Sequence, residues 1–215
     1  MDMPVKGDGV GIGAAMGRRT QSERRRDSEL GLLCAAIDVI ARQGVGAVTF
    51  EVLSRHSGFS RGLVTQRFGS KQRLIEAVLL HLHEDQQRSL VGRGFEDMPG
   101  WEAVLAYVDY CLGNLAARRE ARAYFMLLTS CVAEVSDLRC VFRRTHAEVE
   151  EQLGRWICRG QAEGRIRAEV DSRAAALMIG CMLFGTSMQM MVDPDMDIAP
   201  VRDLTLATLC RSLCV

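Results

Sequence analysis

The chain has 215 residues, 48% of them hydrophobic, with 27 Lys/Arg against 27 Asp/Glu. That length holds one large helical domain or a small domain beside a larger one, and that apolar share excludes bulk disorder. Zero net charge excludes a uniformly polybasic protein. The charge is nevertheless segregated: residues 18–75 hold 11 Lys/Arg and 5 Asp/Glu, whereas residues 76–215 hold 15 and 20. A basic end on an acidic body points to a polyanionic partner at that end.

Residues 1–21 are glycine-rich and polar without periodicity, which predicts a disordered tail. The run "GVGIGAAMG" (9–17) lacks the G-x-G-x-x-G spacing and a preceding strand, so it does not read as a dinucleotide loop. No apolar leader is visible at the start, and no run of about 18 apolar residues suggests a membrane span. The eight cysteines include no CxxC pair, and most fall on apolar helical positions as small hydrophobes. A reduced, cytoplasmic, nucleoid-associated protein without membrane contact is expected.

From Ser22 onward the pattern is helical. Leu30, Leu33, Cys34, Ile37, Ile40 and Ala41 form one helical face, stopped by Gly44 and Gly46. Thr49 caps a short second helix that ends at Gly58. Ser60 caps a third that closes at Gly69, and Ser70 caps a fourth with Leu74, Ile75, Val78, Leu79 and Leu82 as its stripe. Gly92, Gly94, Pro99 and Gly100 punctuate the next turn. A fifth helix carries Trp101, Val104, Leu105, Val108, Cys111, Leu112 and Leu115. A sixth covers about 121–134, and a seventh covers about 137–162 and ends at Gly164. Asp171 caps an eighth, "SRAAALMIGCMLFGTSMQMMV", apolar on nearly all sides and therefore expected to be buried all round. "DPDMDIAP" breaks it, and a ninth covers about 200–213 with Pro200 in its first turn. The fold class is all-α with about nine helices. It divides into a tail (1–21), a helix-turn-helix domain (22–70) and a larger helical domain (71–215).

The stretch "GFSRGLVTQRFGSK" (58–71) decides between two phosphate chemistries. A nucleotide loop needs a strand before its glycines and a G-x-x-x-x-G-K-[ST] spacing, and both are lacking. A helix-turn-helix fits: helices 49–57 and 60–67 meet at Gly58. Val64 and Phe68 share one face that seats the second helix. Arg61, Gly62, Thr65 and Gln66 then project outward. Arg pairs with guanine, Gln with adenine, and a Thr methyl meets thymine. Gly62 permits close backbone approach. The helix starts capped by Thr49, Ser60 and Ser70 offer N–H groups to phosphate, with Lys71 adding a cation. Capped helical hairpins also occur without DNA, so the pattern alone leaves a plain surface hairpin open. Arg24, Arg25 and Arg26 fit either DNA contact or a solvated helix start.

Residues 35–81 resemble the N-terminal domain of the tetracycline-repressor (TetR) family of bacterial regulators. The resemblance rests on the helix end at Gly44, Val48-Thr49, Gly58-Phe59-Ser60, Gly62, and Phe68-Gly69-Ser70-Lys71 before an apolar fourth helix. The rest matches only in helix count, in "RGQAEGRIRAEVD" (159–171) and in the apolar eighth helix with its "DPD" break. The resemblance implies a homodimer whose two heads read a palindromic double-stranded DNA operator. Arg61, Gly62 and Gln66 would approach bases; Thr49, Ser60, Thr65, Ser70 and Lys71 would hold phosphate. Position 65 is commonly aromatic in the family, and position 63 is commonly small. Thr65 and Leu63 depart from this, and Arg61 and Arg67 could compensate electrostatically. Helices eight and nine would form the dimer interface through Ala174, Met178, Cys181, Met182, Gly185, Met188, Leu204 and Thr208.

A small-molecule effector pocket among helices four to seven is implied as well. Its candidates are Tyr107, Tyr110, Cys111, Asn114, Phe125, Met126, Thr129, Phe142 and Trp156, a lining suited to a hydrophobic or aromatic ligand. The most direct reading is a repressor released by its effector. Alternatives are an activator, or an architectural or division-related DNA-binding protein of the same fold without an effector. No enzyme, cofactor or metal site is expected. There is no serine elbow or carboxylate pair, His81 and His83 point to different helix faces, and Glu148, Glu150 and Glu151 read as an exposed charge run.

Overall fold

The computed structural model describes residues 20–115, 118–134 and 137–215. The expected disordered tail falls outside these, apart from its last two residues. Thr20 caps the first helix in a capping box with Glu23, so α1 (Gln21–Gln43) begins one residue ahead of the expected boundary. The remaining helices are α2 (Phe50–Ser57), α3 (Arg61–Phe68), α4 (Lys71–Gly92), α5 (Gly100–Leu115), α6 (Arg119–Ala133), α7 (Arg139–Ala162), α8 (Ser172–Val192) and α9 (Ala199–Leu213). Two 3-10 turns, Val45–Ala47 and Phe95–Asp97, join them. Among the described residues there is no strand, only one isolated bridge between Ile166 and Cys214.

The helix limits follow from local chemistry. Thr49, Ser60 and Ser70 each accept the backbone N–H three residues on, at 3.1, 3.2 and 3.2 Å. Each such cap stabilises its helix by about 1 kcal/mol. Gly44, Gly58 and Gly69 close α1, α2 and α3 with φ of +85°, +75° and +71°, a region costly for side chains with a β-carbon.

Two apolar cores form. The first joins Leu32, Ile37 and Ile40 of α1 and Leu53, Val64 and Phe68 of α2 and α3 to Leu74, Val78 and Leu82 of α4. It also takes in Leu127 of α6 and Phe142 of α7. The second gathers Leu90, Trp101, Val104, Val108, Leu153, Trp156, Ile157, Ile179 and Leu209. The first core therefore crosses the 70/71 chain boundary. Helix α4, 22 residues and so about 33 Å long, contributes to both cores.

The "RGQAEGRIRAEVD" segment acts as a clasp. The Gln161 side-chain amide donates to the carbonyls of Arg167 (3.1 Å) and Val170 (2.8 Å), fixing the turn between α7 and α8. Arg167 N–H then donates to Leu213 O at 2.9 Å, tying the end of α9 to the same turn.

Helix α8 corrects two expectations. Its Ala175, Ala176, Ile179, Leu183, Ser187 and Met190 are buried, but Leu177 is 52% exposed and Phe184 40%. It is not buried all round, because one chain supplies packing partners, α5 and α7 chiefly, on one side only. It is also long and apolar enough to cross a membrane by length and composition. The cysteines differ from expectation too: all eight are free, only Cys131 is buried, and Cys140, Cys158, Cys181 and Cys210 are exposed.

Candidate nucleic-acid interface and inner cavity

The eight DNA-contact candidates, Thr49, Ser60, Arg61, Gly62, Thr65, Gln66, Ser70 and Lys71, are all exposed. On α3, Arg61/Thr65 and Gly62/Gln66 are two adjacent rows four residues apart, forming one outward stripe. The opposite side, Val64 and Phe68, is buried on the first core. The turn before α3 is pinned: the Ser54 hydroxyl donates to Phe59 O at 2.7 Å, and Phe59 N–H donates to the Ser57 hydroxyl at 3.3 Å. The Phe59 ring lies on Gly31 of α1, where a β-carbon would meet it at 2.9 Å. A small residue at 31 thus lets α1 support the recognition turn.

Gly62 is different. A β-carbon there would find only the Ser60 hydroxyl oxygen at 3.9 Å, and its φ is not positive. Nothing inside the fold requires glycine at 62. Thr65 donates its hydroxyl to Arg61 O at 3.1 Å, which leaves its oxygen free to accept. Arg67 turns inward, its guanidinium donating to the Ser28 hydroxyl of α1 at 3.3 Å, and is half-buried. It is therefore not held beside Arg61 on the outer stripe, unlike the placement expected for a residue compensating Thr65. Lys71 extends over the 3-10 turn, Nζ 3.4 Å from Gly46 O.

Behind the head lies a cavity of about 590 Å³ between α4, α5, α6, α7 and α8. That is within the usual size for a small-molecule site, about 300–1,000 Å³. Of the nine pocket candidates, Tyr107, Tyr110, Cys111, Asn114 and Phe125 line it. Met126, Thr129, Phe142 and Trp156 do not. Trp156 is buried behind the wall, its ring 5.8 Å from those of Phe95 and Tyr107. Phe142 backs Tyr124 at 5.6 Å, Met126 packs on the first core, and Thr129 donates to Phe125 O. Cys181, assigned to the interface, also borders the cavity, as do Leu177 and Phe184.

Several lining residues are not evident from the sequence: Asp85, Gln86, Arg118, Tyr124, His146 and Glu150. The spacing of His146, Val149, Glu150 and Leu153 on one face of α7 was the available signal. The Tyr124 hydroxyl and His146 Nε2 are 2.6 Å apart. Burial raises the Tyr124 pKa, and desolvation lowers that of His146, with Glu150 opposing and His83 adding to the fall. A neutral phenol and a neutral imidazole thus share one hydrogen bond, its direction set by the imidazole tautomer. Burial pushes the Cys111 thiol up to about 12, so it stays protonated and unreactive at neutral pH. Arg118 reaches Tyr110 Oη at 3.2 Å and Asp85 at 3.4 Å, closing one end. Glu150, read as part of an exposed run, is on the cavity wall, and Glu148 pairs with His83 at 2.7 Å. No group of three or more potential metal ligands occurs among the described residues.

Residues 32–78 match the family described as bacterial regulatory proteins, tetR family. The match is confined to this N-terminal segment. The match covers α2, α3 with its outer stripe, and the capped helix starts beside it. An HTH-type transcriptional repressor of Mycobacterium tuberculosis is 30% identical over 113 residues, 48% of this chain and 60% of that protein. The chain thus spans about 60% of the length of the curated relatives it matches. A TetR-family transcriptional regulator from Agrobacterium tumefaciens has a TM-score of 0.75 at 18% identity, covering 89% of this chain and 100% of that one. SmeT, the repressor of the Stenotrophomonas maltophilia multidrug efflux pump SmeDEF, has a TM-score of 0.70 at 19% identity, covering 87% and 90%. These two likenesses extend the TetR fold beyond the head to the helical body. The curated relatives are named as HTH-type transcriptional regulators.

Proposed function

We propose that this chain is a DNA-binding transcriptional regulator, acting as a homodimeric repressor released by a small molecule. The observation that carries this is the outward stripe of α3: Arg61, Gly62, Thr65 and Gln66 are exposed on a rigidly seated helix, and Gly62 has no internal reason to be glycine. Arg61, Gly62 and Gln66 face the bases; Thr49, Ser60, Thr65, Ser70 and Lys71 hold the backbone phosphates. Two heads must stand one helical turn apart, about 34–36 Å, to read a palindrome. The exposed apolar stripe Ala174, Met178, Cys181 and Gly185, with Leu204 of α9, suits a second copy. With Met182, Met188 and Thr208 alongside, it would supply a four-helix interface. A helix of this composition also fits a bilayer. An apolar face on one side of a helix otherwise packed on its own chain favours a partner helix.

The 590 Å³ cavity supports effector control over an effector-free architectural role. A ligand there acts only through different affinities for the two head spacings. The deciding experiment is a gel shift on DNA upstream of the encoding gene, followed by footprinting. A protected palindrome supports the reading; binding without sequence preference removes the repressor assignment.

A further inference from the structure

A second, smaller cavity of about 240 Å³ adjoins the first where the head meets the body, and four arginines line it: Arg42, Arg118, Arg119 and Arg122. No acidic residue lines it. Two of the four are neutralised: Arg118 by Asp85 and Glu120, and Arg119 by Asp38 (2.5 Å) and Glu120 (3.0 Å). Arg42 and Arg122 make no side-chain hydrogen bond or ion pair among the described residues. The N-terminus of α6 has no side-chain cap, so its first N–H groups add partial positive charge at the same place. Arg42 and Arg122 are exposed and lack an acidic partner at the hollow, so an anion entering it meets two open guanidinium forks.

The two cavities share Arg118, Phe125 and Ser187. The smaller is cationic along its arginine side; the larger is walled mainly by rings and aliphatic groups, with Asp85, Gln86, His146 and Glu150 among them. We infer that the effector is an amphipathic organic anion, its carboxylate, phosphate or sulfate held by Arg42 and Arg122 and its apolar body running into the larger cavity. This rests on the effector reading above and narrows it to a chemical class. It also assigns a lever. Arg42 belongs to α1 of the head, whereas Arg119 and Arg122 belong to α6 of the body. An anion bridging them makes contacts that depend on how the head sits on the body, so its affinity and that for DNA are linked. Glu150, without an ion-pair partner on the far wall, is the feature that would instead favour a cation, and the test includes that case.

The full chain is titrated calorimetrically with decanoate, decanol, decyltrimethylammonium and inorganic phosphate. Decanoate should bind roughly ten-fold or more tightly than the other three, the difference made by a single charge-assisted hydrogen bond. The double variant Arg42→Gln/Arg122→Gln, checked for intact helicity, should lose that preference while still taking up decanol as before. Equal binding of decanol, tighter binding of the ammonium, phosphate binding as tightly as decanoate, or an unaffected double variant each overturns the anion assignment and leaves the effector cavity standing. Failure of all three chain-bearing probes to bind overturns the anion assignment and the effector reading together.

Discussion

Gly100 and Gly160 meet backbone to backbone. A β-carbon on Gly100 would lie 2.2 Å from Gly160 N and 2.3 Å from Trp156 O, so α5 begins directly on the spine of α7. The Gly100 N–H donates to the Glu163 carboxylate at 2.9 Å, which satisfies a first-turn donor at this crossing. Neither neighbour is a side chain that can swing aside. Gly100→Ala should destabilise the protein by about 1–3 kcal/mol or more through overpacking. Gly154→Ala in mid-α7 meets nothing within 4 Å and should stabilise by about 0.5–1 kcal/mol. Urea denaturation of both variants checks the pair; equal effects would contradict the close crossing.

On the outer stripe, Arg61→Ala and Gln66→Ala should each cost about 1–3 kcal/mol of operator affinity and relax preference at single base positions. Lys71→Ala should weaken all DNA alike and reduce the salt slope by about 1. Gly62→Ala is the sharper test. It should leave the melting temperature unchanged or slightly raised, because space is open there, yet lower operator affinity by crowding the groove. Fluorescence anisotropy against operator and scrambled duplexes separates these outcomes.

The exposed face of α8 and α9 predicts assembly. Leu204 is 63% exposed in the single chain. Leu204→Glu should place a charge in the proposed interface, where an unpaired buried charge costs several kcal/mol. Sedimentation velocity should show a dimer for the parent and a monomer for the variant, with unchanged helicity in each.

The Tyr124–His146 pair predicts a pH response. Desolvation holds His146 below its ordinary value of about 6.5. Between the folded and unfolded values the unfolded chain binds more protons, so stability rises with pH. The contribution is present above about pH 6.5 and is lost as pH falls through the lowered folded value. Melting temperature should therefore fall on acidification from neutrality, and His146→Gln should reduce that fall. An unchanged slope in the variant would remove His146 from the account.

The order and limits of the helices were legible in the sequence, because the signals are local. Thr49, Ser60 and Ser70 each bond to a backbone group three residues on, and Gly44, Gly58 and Gly69 each need only their own φ. The outer stripe of α3 was legible for the same reason: a helical repeat that buries Val64 and Phe68 leaves Arg61, Gly62, Thr65 and Gln66 outside. Periodicity gives a face but not the neighbour it meets. Phe142 and Trp156 share the apolar character of Tyr107 and Phe125, yet only the packing of α5, α6 and α7 sends the second pair into the cavity and the first behind its wall. The same holds for α8, whose uniform apolarity conceals that one chain covers only one side of it. Arg42 and Arg122 are unremarkable in sequence. Tertiary structure alone brings them to one hollow, because electrostatic convergence depends on distance through space rather than along the chain.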